Sequence, residues 1–358
     1  MIDYRLPEYR RKVFLDFYKF HSKYKGHPGF VYGLMPYFSE VFHLDQEQKF
    51  TVAYLNGIWQ NMISTWLIFE RFPTLKELNS PSFSKWFREN YEKLGIDTDR
   101  RYVKNQLEKC IENYVKVLDG KSQVDFFGDL SKSQNTYENF NKVWDKVITD
   151  FYLFGRLATF SYTEYLRIMG LNIECYSLFL DDISGSRSHR NGLCKVMGWD
   201  SLIYDDKLNP GFEGKYTTEQ IEMMAEAGDE LLQASFDSAV EDPSFFTLES
   251  TFCCYKSWHK KNRRYPNCYN DMFHDRIKFS EARWDGKVDL SHFWKARKVY
   301  LPDYLRLEDN PNDPGLVPEK QNWYRETGQV IMMSKDFPEY DNPFDRKIWS
   351  KGLESFYD

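Results

Sequence analysis

Apolar residues recur at helical spacing through most of the chain. Two interleaved series step by four residues, and their members are Tyr54, Ile58, Met62 and Trp66 with Leu55, Trp59, Ile63 and Leu67. Such series make a helix apolar on more than one face, so we predict a buried central helix over residues 45–72. Asp45 and Gln48 have the spacing of a capping box at its start, and Phe72 followed by Pro73 ends it.

Further helices are predicted by the same periodicity and by capping signals. The segments concerned are 80–94, 101–119, 143–170, 217–233, 242–260, 271–284 and 291–301. Thr217 with Gln220 repeats the capping box, and Asp242 before Pro243 pairs a favoured cap with proline at a first helical position. Alternation typical of strands is scarce and short, so the predicted fold class is mainly α.

The chain divides by composition near residue 300. Residues 302–345 are rich in Pro, Asp and Asn, which is typical of irregular structure. We therefore predict a helical domain over 1–300 and an irregular C-terminal extension over 301–358 that packs on it or trails from it. A length of 358 residues with 42% apolar residues is ample for such a core.

Charge and cysteine usage limit the cellular setting. The net charge of −6 argues against a generally basic nucleic-acid coat, although a local basic groove would still bind DNA. Six cysteines without a CxxC pair fit a reduced cytosolic protein. Neither a signal peptide pattern nor an apolar run of roughly 20 residues occurs. We expect a cytoplasmic protein without a membrane partner.

Several common catalytic motifs are absent from the sequence. It contains no GxxxxGK[ST], no GxGxxG after a strand, no HExxH and no GxSxG, and its seven histidines lack zinc-ligand spacing. P-loop nucleotide hydrolysis, dinucleotide redox chemistry and zinc hydrolysis are therefore disfavoured.

A Gly/Ser segment that also carries arginines runs from Asp181 to Lys195, and we predict that it is a loop. Small hydroxyl residues, glycines and cations allow close approach to phosphate oxygens. The candidate phosphate contacts are Ser184, Arg187, Arg190, Asn191 and Lys195, with Arg156 on a helix leading toward them. The competing interpretation is a solvated surface turn.

Ionisable residues share one face of the predicted 242–260 helix. Glu249 and Lys256 are seven residues apart, hence about two turns apart on the same face, with Cys253 between them. A carboxylate and an ammonium so placed can serve acid–base chemistry and charge stabilisation. An ordinary amphipathic helix with exposed charges explains the same spacing.

Paired carboxylates mark the next helical segment. Asp271 and Asp275 stand at i and i+4, so they share a face that would suit a magnesium ion or general acid–base work. A solvated helix face is the alternative. Arg264 and Tyr265 add a cation and a stacking ring just upstream, and Arg276 adds a further cation. No cofactor beyond this candidate Mg²⁺ is indicated.

Three blocks of the chain resemble a known family. They are QKFTVAYLNGIWQNMISTWLIFERFPTL over residues 48–75, the segment 154–194 with GRLATFSYTEYL and SHRNGLC, and the segment 248–297 with LESTFCCYKSW, RRYPNCYNDMFHDR and FWKAR. In order and spacing they resemble the alpha-glutamyl/putrescinyl thymine pyrophosphorylases, or amino acid:DNA transferases, of DNA-hypermodifying phages.

The resemblance implies a fold, a reaction and roles. It implies a helical DNA-glycosylase-like domain that flips a base, and an amino acid or polyamine that displaces pyrophosphate from 5-(pyrophosphoryloxymethyl)uracil in double-stranded DNA. The setting would be the cytoplasm of an infected bacterial host. We assign Glu249 as general base, Lys256 to the departing pyrophosphate, Asp271 to the amine or a metal, and Tyr265 to stacking on the flipped base.

Two other functions remain open on the sequence alone. One is a helical DNA-binding or base-sensing protein without chemistry, in which Glu249 and Asp271 would be structural. The other is a base-excising DNA glycosylase, which would use a carboxylate to support loss of the base from its sugar.

Overall fold

The computed structural model describes residues 7–95, 106–182, 185–258 and 268–301; within these ranges it leaves out the side chains of residues 7, 8, 256–258, 268–272 and 275. Its regular elements are α-helices and short 3₁₀ turns, with no strand in the described ranges. The mainly α fold class is therefore confirmed.

The helices of the described residues follow the chain in order. They are α1 (Pro7–Lys23), α2 (Val31–Val41), α3 (Gln46–Trp59), α4 (Met62–Arg71), α5 (Leu75–Leu78), α6 (Pro81–Asn90), α7 (Leu107–Leu118), α8 (Gln123–Leu130), α9 (Thr136–Asp150), α10 (Arg156–Ile168), α11 (Arg187–Met197), α12 (Thr218–Asp237), α13 (Phe245–Trp258), α14 (Cys268–Arg283) and α15 (Ser291–Tyr300). Among these described helices, none has the length and apolar character needed to cross a bilayer.

The chain forms two compact units that are discontinuous in sequence. The first unit takes its described residues from Met1–Pro28, Tyr176–Asp275 and Lys298–Asp358. The second takes its described residues from Gly29–Cys175 and Arg276–Arg297. Sequence analysis did not predict this division. The boundary between a domain over 1–300 and an extension stays a prediction, because residues 302–358 lie outside the described residues.

The first unit is built around the contact of α11 with α13, against which α1 and α12 also pack. Phe14 of α1 stacks on Phe252 of α13 with ring centroids 4.7 Å apart, and Tyr255 meets Phe14 edge-on at 5.4 Å. Gly192 of α11 faces the backbone of α13: a Cβ there would lie 2.2 Å from the carbonyl oxygen of Phe252. Only glycine permits this close approach of the two helices.

The second unit is centred on α3, which packs against α10 and α4. Tyr54 of α3 stacks on Tyr114 of α7 with ring centroids 3.7 Å apart. Gly57 lies under the ring of Tyr162 from α10. Burial raises the pKa of Tyr114, whose hydroxyl donates to Gln123 Oε1 at 2.8 Å. Buried phenols in this core are therefore neutral and hydrogen-bonded, as buried polar groups must be.

The predicted 45–72 helix is two helices. All eight members of the apolar series are buried, and Asp45 and Gln48 form the predicted capping box. The continuous helix was wrong, because Gln60 adopts a left-handed conformation with φ of 52° and Asn61 caps a new helix. Asn61 Oδ1 accepts a hydrogen bond from the backbone N–H of Ser64 at 3.1 Å. The four-residue spacing of apolar residues continues across the break between α3 and α4, so periodicity alone does not reveal the break.

The predicted 143–170 helix is also interrupted. Helix α9 ends at Asp150 and α10 begins at Arg156, with Leu153 between them at φ of 62°.

The predicted start of α13 at Asp242 and Pro243 was wrong as well. Asp242 has φ of 49°, and the helix begins at Phe245.

The remaining predicted helices are present with shifted ends. The segments 80–94, 217–233, 271–284 and 291–301 correspond to α6, α12, α14 and α15. Thr217 and Gln220 form the second predicted capping box. The described part of the 101–119 segment contains α7, which ends at Leu118. Among the described helices, α1, α2, α5, α8 and α11 lacked a helix prediction.

A cluster of neutral imidazoles lies in the core of the first unit. His21 Nε2 is 3.4 Å from Cys254 Sγ, and His27 Nδ1 is 3.0 Å from Ser250 Oγ. The two imidazole rings meet edge-on with centroids 4.6 Å apart. Burial lowers the pKa of His21 to about 3 and that of His27 well below its ordinary value. Protonation of either ring in the folded state is thus strongly disfavoured.

These histidines predict a stability that falls with acid. In the unfolded chain a histidine has a pKa of about 6.5, so as pH falls the unfolded state binds protons first. The contribution is complete above about pH 6.5 and is lost as pH falls toward the folded pKa of about 3. We expect His21 alone to lower the free energy of unfolding by about 1.5–2 kcal/mol between pH 6.5 and pH 5. Urea unfolding at several pH values measures this loss.

The control for that experiment is the exposed His43. His43→Gln should keep the parent's dependence of unfolding free energy on pH, whereas His21→Gln should flatten it. Equal slopes for His21→Gln and the parent would contradict a neutral buried His21.

Candidate active site

The Gly/Ser segment predicted as a loop is mostly helix. The backbone N–H groups of Gly185 and Ser186 donate to Asp182, to Oδ1 and to the carbonyl oxygen respectively, each at 2.9 Å. Helix α11 then runs from Arg187 to Met197 and packs against α13. Four of the residues predicted to bind phosphate lie on this helix, namely Arg187, Arg190, Asn191 and Lys195. The prediction of a loop was therefore wrong for residues 187–195. The helix leaves Arg187 exposed and buries Arg190 and Lys195.

Arg190 is fully buried and ties the chain before α11 to the helix. Its Nη1 donates to the carbonyl oxygen of Leu180 at 2.8 Å and to Ser186 Oγ at 2.7 Å. Its guanidinium also lies 4.4 Å from the ring centroid of Tyr216, a phenol whose pKa burial raises. These contacts hold the start of α11 in place. They give Arg190 a structural function, and its predicted phosphate contact stays untested.

Asn191 holds a loop against α11. Its Nδ2 donates to the carbonyl oxygen of Tyr204, and its Oδ1 accepts from the N–H of Tyr204, both at 2.9 Å. The amide is thus engaged through both of its polar atoms. Its contacts are those of a positioning group, whereas sequence analysis had assigned it to phosphate.

Arg187 is the exposed cation of this helix. Its guanidinium carbon lies 4.1 Å from the ring centroid of Tyr204, and its Nε donates to the carbonyl oxygen of Tyr204 at 3.3 Å. Because Asn191 fixes that same residue, Arg187 rests on a fixed aromatic platform. A stacked guanidinium keeps its terminal donors directed outward, which suits a phosphate oxygen.

Lys195 is buried near the other end of α11, with 2% of its surface exposed. Its carbonyl oxygen accepts a hydrogen bond from Arg10 Nη1 at 3.1 Å, and the same guanidinium pairs with Asp200 at 2.9 Å. This ion pair joins α1 to the turn after α11. Burial of Lys195 was not predicted from the sequence, which placed it in an exposed loop.

Glu249 of α13 meets His189 of α11. The distance between His189 Nδ1 and Glu249 Oε1 is 2.9 Å, and the side chains are 0% and 14% exposed. His189 Nδ1 makes no hydrogen bond of good geometry in the structure, so we describe this approach as a close polar contact. The other ring nitrogen, Nε2, is 2.9 Å from the carbonyl oxygen of Leu178. The partly exposed carboxylate of Glu249 is therefore in contact with the buried imidazole of His189.

A second polar contact lies one helical turn along α13. Cys253 Sγ is 2.9 Å from Ser188 Oγ of α11. Both residues are half-buried, as is Glu249, whereas the residues on either side of them on α13 are buried. We call Arg187, Ser188, Glu249 and Cys253 the polar strip. Among the described side chains of α11 and α13, these four are at least partly exposed, and they include a carboxylate and a cation.

The other predicted site residues fall in three groups. Arg156, the first residue of α10, and Arg276 of α14 belong to the second unit. Lys256 lies on α13, and Asp271 and Asp275 lie on α14, but their side chains are outside the described residues. Ser184, Arg264 and Tyr265 lie outside the described residues altogether.

The metal prediction concerns Asp271 and Asp275, whose side chains are outside the described residues. Among the described residues, no group of three or more His, Cys, Asp and Glu side chains is arranged to hold a metal ion. A magnesium site at Asp271 and Asp275 stays a prediction.

Comparison with known proteins identifies the family. The family model described as amino acid:DNA transferase matches residues 33–265, which include all of α11 and all of α13 with Glu249. The chain belongs to the amino acid:DNA transferase family. A protein of Salmonella phage ViI named serinyltransferase is 30% identical over 342 residues, covering 90% of this chain and 80% of that protein.

The family settles the class of reaction. An amino acid:DNA transferase is an enzyme that acts on DNA with an amino acid as co-substrate, and the prediction of a DNA-modifying transferase is confirmed at that level. A non-catalytic DNA-binding protein and a base-excising glycosylase are not favoured. No solved structure matches the chain, so the DNA-glycosylase likeness of the helical fold stays a prediction.

Sequence analysis assigned no site role to three residues that belong to the polar strip or contact it. His189, Tyr204 and Ser188 contact Glu249, Arg187 and Cys253 respectively. His189 and Ser188 lie in the 181–195 segment, in which neighbouring residues were predicted to contact phosphate. Tyr204 carried no signal, because its role depends on a contact across the fold.

Proposed function

We propose that the enzyme transfers an amine to a pyrophosphorylated thymine in double-stranded DNA. The acceptor is 5-(pyrophosphoryloxymethyl)uracil, the donor is an amino acid or a polyamine, and the product is a hypermodified thymine. A phage enzyme of this kind would act in the cytoplasm of the infected bacterium. The observation that carries the proposal is Glu249, a carboxylate that is partly exposed yet fixed by a buried histidine.

The reaction needs a base because the amine arrives as an ammonium ion. Glu249 takes one proton from it, which frees the nitrogen lone pair to form a C–N bond at the 5-methylene carbon. The C–O bond to pyrophosphate breaks, and its electron pair stays on the pyrophosphate oxygen. The proton on Glu249 then passes to pyrophosphate or to solvent. The carbon is reached once the base leaves the stack.

The remaining roles are assigned by residue type and position. Lys256 follows Glu249 by seven residues on α13 and would stabilise the charge that grows on pyrophosphate. Asp271, with Asp275, would orient the amine or a magnesium ion, and Tyr265 would stack on the flipped base. Arg187 would bind a DNA phosphate from its platform on Tyr204, with Arg156, Arg264 and Arg276 as further phosphate contacts.

Release of pyrophosphate tests the proposal. Pyrophosphorylated duplex DNA should release pyrophosphate in the presence of the enzyme and a suitable amine, and much more slowly without the amine. Serine, glutamate and putrescine are the first amines to offer. Release at the same rate with and without every amine would indicate hydrolysis and would contradict transfer.

Arg187 gives a separate prediction for DNA binding. Arg187→Ala removes one phosphate contact, so the slope of log K against log salt should become shallower by about 1. Fluorescence anisotropy of labelled duplex DNA at several salt concentrations measures this slope.

Arg11→Ala is the matched control. Arg11 is an exposed arginine of the same unit whose Nη1 pairs with Glu230 at 3.1 Å. Its replacement should leave the slope unchanged, and the same slope for Arg187→Ala would show that Arg187 does not contact DNA.

A further inference from the structure

Two tryptophan rings of the second unit lie nearly parallel, and each of them carries a cation. The rings of Trp86 and Trp284 have centroids 6.4 Å apart and an interplanar angle of 13°. The guanidinium carbon of Arg71 lies 5.9 Å from the ring centroid of Trp86, and Lys93 Nζ lies 5.2 Å from that of Trp284. Cations at these distances are attracted to the faces of the rings. The four residues are far apart in sequence or on different turns of the chain, so tertiary packing brings them together.

A third cation, Arg283, lies beside this pair of rings. Its guanidinium carbon lies 4.2 Å from the ring centroid of Phe279, and its Nη1 donates to the carbonyl oxygen of Glu92 at 3.0 Å. Because Glu92 precedes Lys93, this hydrogen bond holds Arg283 at the same turn of the chain as Lys93. We call the following residues the tryptophan patch: Arg71, Trp86, Lys93, Arg283 and Trp284.

The three cations of the patch are exposed, and no carboxylate of the described residues pairs with any of them. Other solvent-accessible cations of this unit do have such partners. Lys121, Lys142 and Lys146 pair with carboxylates at distances of 2.5–2.7 Å. Like charges that gather without a counter-charge repel one another, and a bound anion removes that repulsion. In a chain with a net charge of −6, the patch is therefore a local positive surface that suits an anionic partner.

We propose that the tryptophan patch is a surface of the second unit that binds the phosphate backbone of DNA. The family establishes that this enzyme acts on DNA, which carries one negative charge per about 1.7 Å of the duplex axis. A cation that rests on a ring keeps hydrogen-bond donors for phosphate oxygens, and the ring limits the freedom that the side chain would lose on binding. Arg187 lies on Tyr204 in the same way. The inference requires DNA binding alone, so it does not rest on the transfer of an amine.

Removal of all three positive charges tests the patch. In the triple variant Arg71→Ala, Lys93→Ala and Arg283→Ala, the slope of log K against log salt should become shallower by about 3, because each lost phosphate contact removes about 0.9 from the slope. Fluorescence anisotropy of labelled duplex DNA at several salt concentrations measures the slope. If the triple variant fails to fold, the three single alanine variants replace it, each with an expected change of about 1. Unchanged slopes in all three would overturn the inference.

The matched control is the triple variant Lys121→Ala, Lys142→Ala and Lys146→Ala. It removes the same number of positive charges from the same unit, and Lys146 also lies over a ring, 6.0 Å from the centroid of Phe126. It should keep the slope of the parent, because each of these lysines already has a carboxylate partner. Equal slopes for the two triple variants would show a general effect of net charge and would overturn the inference.

A variant that keeps the charges separates DNA binding from a structural function of the cations. Arg71→Lys, Lys93→Arg and Arg283→Lys together should keep the slope of the parent, because the number of counterions released depends on the charges that meet phosphates. A slope as shallow as that of the triple alanine variant would show that the packing of the side chains matters and their charge does not, which would overturn the inference.

The outcomes separate this inference from the proposed function. A shallower slope in the patch variant of a protein that transfers no amine would support the patch and remove the reaction. Amine transfer by a protein whose patch variant binds DNA with the slope of the parent would support the reaction and overturn the patch.

Discussion

Replacing Glu249 by Gln is expected to lower the rate of amine transfer by roughly two to four orders of magnitude, the usual contribution of a general base. Glutamine keeps the size of the side chain and its position on α13 but cannot accept the ammonium proton. The affinity for DNA should change little. Single-turnover transfer to pyrophosphorylated duplex DNA, with anisotropy to measure binding, gives both quantities for one protein.

The matched control is Glu230→Gln. Glu230 is an exposed glutamate of α12 in the same unit and pairs with Arg11. It should transfer amine at the parent rate. A Glu249→Gln protein that also kept the parent rate would exclude Glu249 as the base. Joint loss of fold and DNA binding would instead assign the His189–Glu249 pair to stability.

Gly192→Ala is expected to be the most destabilising small substitution in the first unit. An added Cβ would lie 2.2 Å from the carbonyl oxygen of Phe252, and neither backbone can yield without separating α11 from α13. We expect a loss of about 3 kcal/mol or more in the free energy of unfolding, at the upper end for overpacking. Because the same contact places His189 beside Glu249, transfer should fall in whatever protein still folds. Urea unfolding and the transfer assay measure the two effects.

Gly128→Ala is the control for that substitution. Gly128 lies within α8, and a Cβ added there would meet no atom of the described residues within 4 Å. Alanine in a helix interior is favoured over glycine by about 0.5–1 kcal/mol, so this variant should be as stable as the parent or more so. Equal stabilities of the two alanine variants would contradict the close contact of α11 with α13.

The helical class and the central apolar series were predictable, but the breaks between helices were not. Spacing by four residues marks burial whether or not the helix continues, as the buried residues on both sides of Gln60 show. Gln60 and Leu153 adopt positive φ without being glycine. Such conformations cost about 1–2 kcal/mol and are selected by packing elsewhere in the fold, so the local sequence carries little sign of them.

The candidate site was predicted in outline and not in detail. Sequence placed Glu249 and the cations of α11 in functional blocks, but it treated all the cations as exposed. Burial of Arg190 depends on carbonyl oxygens of the preceding segment and on the ring of Tyr216. The pairing of His189 with Glu249 joins residues 60 positions apart in sequence. Contacts of that range follow from how α11 packs on α13, which periodicity does not determine.

Mass spectrometry of nucleosides tests the central claim most directly. Duplex DNA containing 5-(pyrophosphoryloxymethyl)uracil is incubated with the enzyme and one amine at a time, then digested and analysed. The account predicts a new nucleoside whose mass is that of thymidine carrying the amine at its methyl carbon, formed in equal amount to the pyrophosphate released. DNA whose modified base is unchanged with every amine offered, or DNA that has lost the base from its sugar, would contradict it.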